Sequence, residues 1–388
     1  MMRAAIFDRG EFTVGEFPLP PLRKGQIRVR PIANGICAAD LSAWAHTEEF
    51  LAATAETNQV RYRFDDRRPL VFGHEFTAEV VELGAGVGDY AVGQNLFVLP
   101  SFSDLAGVPR CVGFANDYPG GMSTETIVAG CLHVPLDGVD PVLAATLEPV
   151  AIGTNGARQT GLTEGEAALV TGAGPVGLGA VIEFAARGAS TIVVSDPSVK
   201  RREIALAYGA TVAVDPRTAD PVQVWRDLAP RGARMHLVEA SGAPGVLVDL
   251  LASVPPFSVI AIVGGGAEVE MFRPVAAVAK NLTVHFVSGP AYGETRYESV
   301  WRAYEHLREG RYDPALMVTG YTGLAGARKA FEGLCPDGTV FEQVKILILP
   351  QLDTDELLTP EQAGYARSRH GDQHRNQPDR RVAARSRS

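Results

Sequence analysis

Ala167-Ala168-Leu169-Val170-Thr171-Gly172-Ala173-Gly174-Pro175-Val176-Gly177 is a short apolar run that ends on three closely spaced glycines, and apolar residues continue beyond it through Ala185. This is the pattern of a buried strand turning directly into a helix. Glycines in such a turn let backbone amides approach a pyrophosphate, whose charge the helix N-terminus stabilises. A second apolar run, Thr191-Ile192-Val193-Val194-Ser195, ends at Asp196. That places an acid near the interval of about 20 residues expected for a group that accepts the ribose hydroxyls. The ordered set predicts a dinucleotide site built from Gly172, Gly174, Pro175, Val176, Gly177 and Asp196. A carboxylate at that position repels the extra phosphate of NADP, so NAD is expected. Arg201 and Arg202 keep NADP open as the less favoured cofactor.

Outward from this motif, residues 151–288 alternate apolar strands with helical stretches, the grammar of a doubly wound parallel sheet in an α/β fold. Val238 to Gly242 and Ile262 to Gly266 are expected to be later strands running into small-residue loops at the carboxyl edge of that sheet. Residues 1–150 instead show short β-branched runs broken by Gly and Pro, at 26–30, 78–83 and 95–99, which predict an irregular β-rich domain. Beyond Pro350 the apolar periodicity stops, and seven arginines follow Ala366. Residues 351–388 are expected to be a disordered, Arg-rich tail.

The chain carries a net charge of -9, which argues against nonspecific nucleic-acid binding by its body. No uninterrupted apolar run reaches the roughly eighteen residues of a membrane span. The N-terminal residues offer no apolar signal core before charge interrupts them, so a cytoplasmic location is expected. Four widely spaced cysteines, Cys37, Cys111, Cys131 and Cys335, suggest neither a disulfide framework nor a CxxC knuckle.

One of those cysteines has a different use. Cys37 is followed by Gly73-His74-Glu75 and by Leu147-Glu148-Pro149, giving a thiol, an imidazole and two carboxylates ahead of the nucleotide motif. Structural zinc is normally closed by four Cys or His donors, whereas catalytic zinc keeps a mixed shell and one open position. Alone, Cys37 would be a buried apolar thiol and His74 an ordinary core or surface histidine. Together they point to an enzyme.

The ordered combination resembles the medium-chain dehydrogenase/reductase superfamily, in particular its zinc-dependent branch of sorbitol, threonine and alcohol dehydrogenases, over roughly residues 2 to 350. The resemblance implies a GroES-like catalytic domain at 1–150, completed by 289–350, with a Rossmann domain at 151–288 between. It implies Cys37, His74, Glu75 and Glu148 as the metal set, with Asp40 accepting the second ring hydrogen of His74. It also implies hydride transfer between NAD(P) and a secondary alcohol, polyol or sugar, and a homodimer or homotetramer.

Three departures stand out. The lobe 101–119 has only Cys111, too few thiols for a second, structural zinc. Ala39 and Ser42 replace a hydroxyl and a histidine of the usual proton relay, leaving Ser42, His46, Glu75 or Glu148 as proton acceptors. Residues 45–70 form an insertion expected to be a loop or short helix near the cleft mouth. Two other readings remain: a specialised carbonyl or enone reductase with the zinc structural or absent, and a dinucleotide-binding scaffold using the tail. Trp44, Phe102, Phe114 and Tyr118 are candidate pocket aromatics.

Overall fold

The computed structural model describes residues 1–103, 107–265, 269–287, 294–335 and 343–365. The chain opens with the hairpin β1 (Met2–Asp8) and β2 (Glu11–Phe17), then β3 (Gln26–Gly35), α1 (Ala38–Ala45), α2 (Thr47–Glu56), β4 (Glu75–Leu83) and β5 (Asn95–Val98). A small hairpin, β6 (Ser101–Ser103) and β7 (Pro109–Cys111), precedes β8 (Thr126–Ala129), β9 (Val134–Pro135) and α3 (Leu147–Gln159).

The nucleotide half runs β10 (Ala167–Thr171), α4 (Pro175–Ala186), β11 (Thr191–Ser195), α5 (Val199–Ala207), β12 (Val212–Val214), α6 (Pro221–Leu228) and β13 (Met235–Glu239). It continues through α7 (Val246–Ser253), β14 (Val259–Ile262), α8 (Pro274–Val278) and β15 (Thr283–Phe286). The chain then adds α9 (Glu294–Arg308), β16 (Val318–Thr322), α10 (Ala327–Leu334) and β17 (Lys345–Ile348).

Strands β10 to β15 form one parallel sheet in the order β12-β11-β10-β13-β14-β15. Every residue of β10, β11 and β13 is buried. A parallel sheet covered by helices on both faces requires this, and it explains why those strands read as continuous apolar runs rather than alternating ones. The strand order reverses between β10 and β13, and ligands bind in the crevice at such a reversal. Gly172 turns there with φ +85°, and a Cβ on Gly177 would stand 1.8 Å from the Gly172 carbonyl oxygen, so the turn closes only around glycine.

The second sheet has the order β16-β17-β3-β4-β5-β9, with β8 also pairing β3. Strands β16 and β17, from the end of the chain, thus lie in the same sheet as β3, β4 and β5. An apolar core between hairpin, sheet and α10 holds it together: Phe331 lies 4.8 Å from Phe12, 5.6 Å from Trp44 and 5.8 Å from Phe72, centroid to centroid.

One expectation is corrected. Residues 351–365 are ordered: Leu358 and Tyr321 exchange backbone hydrogen bonds of 2.8 and 2.9 Å, and Tyr365 stacks on Tyr321 at 4.8 Å. Isolated anchors, not a periodic face, hold this segment, so a search for periodicity passes over it. Residues 366–388 of the expected tail lie outside the described residues. Among the described residues no helix is long and apolar enough to cross a membrane.

Because Phe331 joins α10 to the first core, Phe331→Ala should lower the unfolding free energy by about 3–5 kcal/mol in denaturant titration while leaving dinucleotide binding intact. A loss below about 1 kcal/mol would show that α10 is not anchored there.

Candidate active site

Sheet register assembles the site. Strands β3 and β4 are antiparallel with Gly35 opposite Glu75, so Cys37, two residues beyond the end of the pairing, comes to lie beside His74. The candidate ligand atoms of Cys37, His74 and Glu75 all lie within 4.8 Å of one another. Glu148, in the first turn of α3, is buried beside them, close enough that its carboxyl group and that of Glu75 shift each other's titration.

Asp40 orders two of these groups. Cys37 caps α1, and its amide donates to Asp40 Oδ2 at 3.0 Å, closing a capping box three residues into the helix. The other oxygen, Oδ1, stands 3.1 Å from His74 Nδ1. An ionised carboxylate only accepts hydrogen bonds, so Nδ1 carries the hydrogen and the Nε2 lone pair is left for a cation.

The electrostatics suit a cation. Burial, aided by the Glu75 charge, pushes the Cys37 thiol up to about 12. Burial opposes a charged His74, yet Asp40 and Cys37 outweigh it and hold its pKa well above the usual imidazole value. Burial and the neighbouring Glu75 push Glu148 up to about 8. Glu75 itself is held below the usual carboxylate range, because the Lys345 ammonium outweighs the penalty of burial. These are protons that a divalent metal displaces.

Lys345 is the residue that sequence reasoning missed. It opens β17, is buried, forms an ion pair with Glu75, and donates to the Ile36 carbonyl at 2.9 Å. A lysine at the head of the apolar run Ile346 to Leu349 reads as a solvated strand end, and the sequence carries no signal that sets it apart.

The cluster edges a cleft of about 1100 Å³ whose walls include Cys37, Trp44 and Lys345 on one side and Gly174, Val176 and Arg201 on the other. A second cavity of about 750 Å³ lies between Ser42, His46 and Phe50 and the ends of β13 and β14 at Glu239 and Gly264. His46 borders both and is exposed; among the described residues no side-chain hydrogen bond links it to Ser42. Behind the glycine turn Asp196 is buried, with Oδ2 accepting from the Ala173 amide and Oδ1 from the Ser198 amide, each at 2.8 Å. Arg201 lies 3.9 Å from it. Gly174 has open space on its cleft side, with only the Arg201 guanidinium near, at 3.9 Å.

The 45–70 insertion is mostly helix. Phe50 of α2 stacks on Phe114 at 5.7 Å, Tyr62 meets the same ring edge-on at 5.1 Å, and Phe114 lies 5.2 Å from the His74 ring. Of the other candidate aromatics, Trp44 lines the cleft, while Phe102 and Tyr118 pack on each other at 4.5 Å.

These features define a class: a metal-dependent oxidoreductase that uses a dinucleotide. Residues 23–136 match the alcohol dehydrogenase GroES-like domain, and residues 175–306 match the zinc-binding dehydrogenase family. L-Galactonate-5-dehydrogenase of Escherichia coli (strain K12) is 32% identical over 218 residues, covering 53% of this chain and 58% of that protein. L-Threonine 3-dehydrogenase of Thermococcus kodakarensis is 30% identical over 298 residues, covering 73% of this chain and 80% of that protein. The crystal structure of 2R,3R-butanediol dehydrogenase from Bacillus subtilis superposes with a TM-score of 0.75 at 26% identity, over 90% of this chain and 100% of that one. The chain spans a little over half the length of the galactonate enzyme and four fifths of the threonine enzyme. It belongs to the zinc-dependent alcohol and polyol dehydrogenase family of GroES-like and Rossmann domains.

Two measurements test this centre. Asp40→Asn should weaken zinc binding by roughly 10–100-fold in chelator competition, the usual cost of losing the partner that orients a ligand histidine. An unchanged affinity would remove Asp40 from that role. Zinc uptake near pH 7 should release protons and tighten as pH rises, because Cys37 and His74 must shed protons to bind and the cation disfavours a proton on the neighbouring Glu148. Calorimetry in buffers of different ionisation enthalpy reads this directly, and uptake without proton release would contradict the ligand set.

Proposed function

We propose that this chain catalyses hydride transfer between a secondary alcohol, polyol or sugar and NAD, with zinc held by Cys37, His74 and Glu75 and with Glu148 beside them. The observation that carries the reading is the convergence of a thiol, an imidazole and a carboxylate on one edge of a cleft whose opposite edge is the glycine turn. The names of the similar proteins, acting on galactonate, threonine and butanediol, share a secondary alcohol, and that class is carried over as part of the proposal.

When bound, zinc supplies the Lewis acidity that lowers the proton affinity of an alcohol oxygen, and the dinucleotide supplies the hydride acceptor. The chain's own residues do the rest. Asp40 orients His74, and α3 delivers Glu148 to the ligand cluster. Gly172, Gly174, Pro175, Val176 and Gly177 leave room for the pyrophosphate at the N-terminus of α4. Ala39 brings no hydroxyl, so a departing proton leaves by way of Glu148 or Glu75 within the site, or is relayed through Ser42 to His46 along the cleft.

Asp196 supports NAD over NADP. Each of its oxygens already accepts one backbone hydrogen bond, and a carboxylate has lone pairs for further donors such as ribose hydroxyls. Arg201 is the group that would help an NADP phosphate. The enzyme is taken to work in the cytoplasm as a homodimer or homotetramer. Exposed Met271, Val275, Val278 and Phe286, beside the edge strand β15, are apolar surface that such an assembly would cover.

A panel of secondary alcohols and polyols, followed by absorbance of the reduced nicotinamide with and without chelator, tests the reading. Turnover should require metal and vanish in Cys37→Ala; full activity of a metal-free preparation would refute it. At equal concentration NAD should outperform NADP. Asp196→Ala should raise the KM for NAD at least about tenfold, as expected when hydrogen bonds to a charged acceptor are lost. A wild-type preference for NADP would reverse the assignment of Asp196.

A further inference from the structure

Burying an ammonium costs several kcal/mol unless pairing and hydrogen bonds compensate, and replacing such a pair by apolar side chains is often neutral or stabilising. Lys345, only 2% exposed, is therefore an expensive way to complete a core. Its position is specific. Strand β17 pairs antiparallel to β3 with Leu347 opposite Gly35, which carries Lys345 to the level of Cys37. There Nζ donates to the carbonyl of Ile36, the residue before Cys37, and forms an ion pair with Glu75 Oε2.

The path to Glu75 crosses Gly35. A Cβ at that position would stand 2.6 Å from Lys345 Cε and 2.8 Å from Glu75 Oε2, so residue 35 must lack a side chain for the pair to form. One cation thus ties together the backbone that presents the thiol and a carboxylate from the neighbouring strand.

We infer that Lys345 is a positioning residue that engages Glu75 Oε2, so that this carboxylate offers a metal one oxygen at most and a coordination position stays open for substrate. The inference rests on the metal reading above. Without the lysine, a buried carboxylate with no cation beside it turns both oxygens to the metal, filling the position that catalytic sites keep open. Neutralising Lys345 therefore keeps the metal and loses turnover.

The test loads wild type, Lys345→Met, Lys345→Arg and Gly35→Ala with cobalt(II) in place of zinc and reads three quantities: cobalt per chain, the visible absorption band and kcat. The expected result for Lys345→Met is full cobalt occupancy, a weaker visible band as the metal gains a ligand, and a kcat lower by roughly 10–100-fold. Lys345→Arg, which retains the charge, should recover much of both signals. Gly35→Ala keeps the lysine but displaces it, and should shift band and kcat in the same direction; it carries the test if Lys345→Met does not fold. Loss of cobalt in step with activity would overturn the inference in favour of a structural role, and an unchanged band and kcat would overturn it outright. A wild-type protein that binds neither cobalt nor zinc would instead refute the metal reading, and the inference with it.

Discussion

A single buried carboxylate, Asp40, holds the active centre in order. It is fully excluded from water, and a charge so placed persists only where hydrogen bonds replace hydration. Its two oxygens take the Cys37 amide and the His74 ring, so the same pair of bonds that satisfies the buried charge fixes the start of α1 and the rotation of the imidazole. Local helix capping and ligand orientation are one arrangement. The Cys-x-x-Asp spacing therefore has a physical basis independent of any relative: the N-cap and the third helical residue face each other in every capping box.

Around that carboxylate the charges are unbalanced by design of the ligand set. In the proposed ligand set, a thiolate and two carboxylates around one divalent ion, with Asp40 behind them, would leave the centre negative. Lys345 offsets this from the last strand of the sheet, 270 residues after Glu75. The catalytic half is consequently not closed until the end of the chain has folded back beside β3. The glycine turn and Asp196 lie within the contiguous segment from β10 to β15, whereas the cluster of Cys37, His74 and Glu75 is completed by Lys345 from the other end of the sequence.

That difference explains what could be read in advance. The glycine turn, the second strand and Asp196 lie within one short stretch and obey local rules, so residues and roles could be proposed together. Cys37 and His74 could be singled out by their chemistry, but their meeting depends on the β3 to β4 register, and that of Glu148 with them on the placement of α3, neither of which sequence displays. Lys345 was invisible because a lysine beside an apolar run normally marks a strand end in water. Residues 351–365 misled for the opposite reason: Leu358 and Tyr365 anchor the segment singly, and single anchors leave no period to detect. The length of α2 was likewise hidden, since its ten residues, Thr47–Glu56, have a weak apolar stripe and take their stability from Phe50.

The insertion acts on the centre through rings. Phe114 is fully buried, with Phe50 stacked on it, Tyr62 against its edge, Phe72 at 6.0 Å and the His74 imidazole at 5.2 Å. Offset and edge-on aromatic pairs each contribute about 0.5–1.5 kcal/mol beyond the area they bury, and close-packed interiors transmit displacement rather than absorb it. His74 is thus fixed on two sides, by Asp40 at Nδ1 and by Phe114 against its ring. Since Phe50 and Tyr62 belong to the 45–70 segment, the insertion buttresses the His74 ring through Phe114, while His46 and Phe50 border the second cavity. A segment that only roofed the cleft would have no need to reach Phe114; this one does so with two rings, Phe50 from α2 and Tyr62 from the turn that follows it, so one insertion both packs behind His74 and borders the neighbouring cavity.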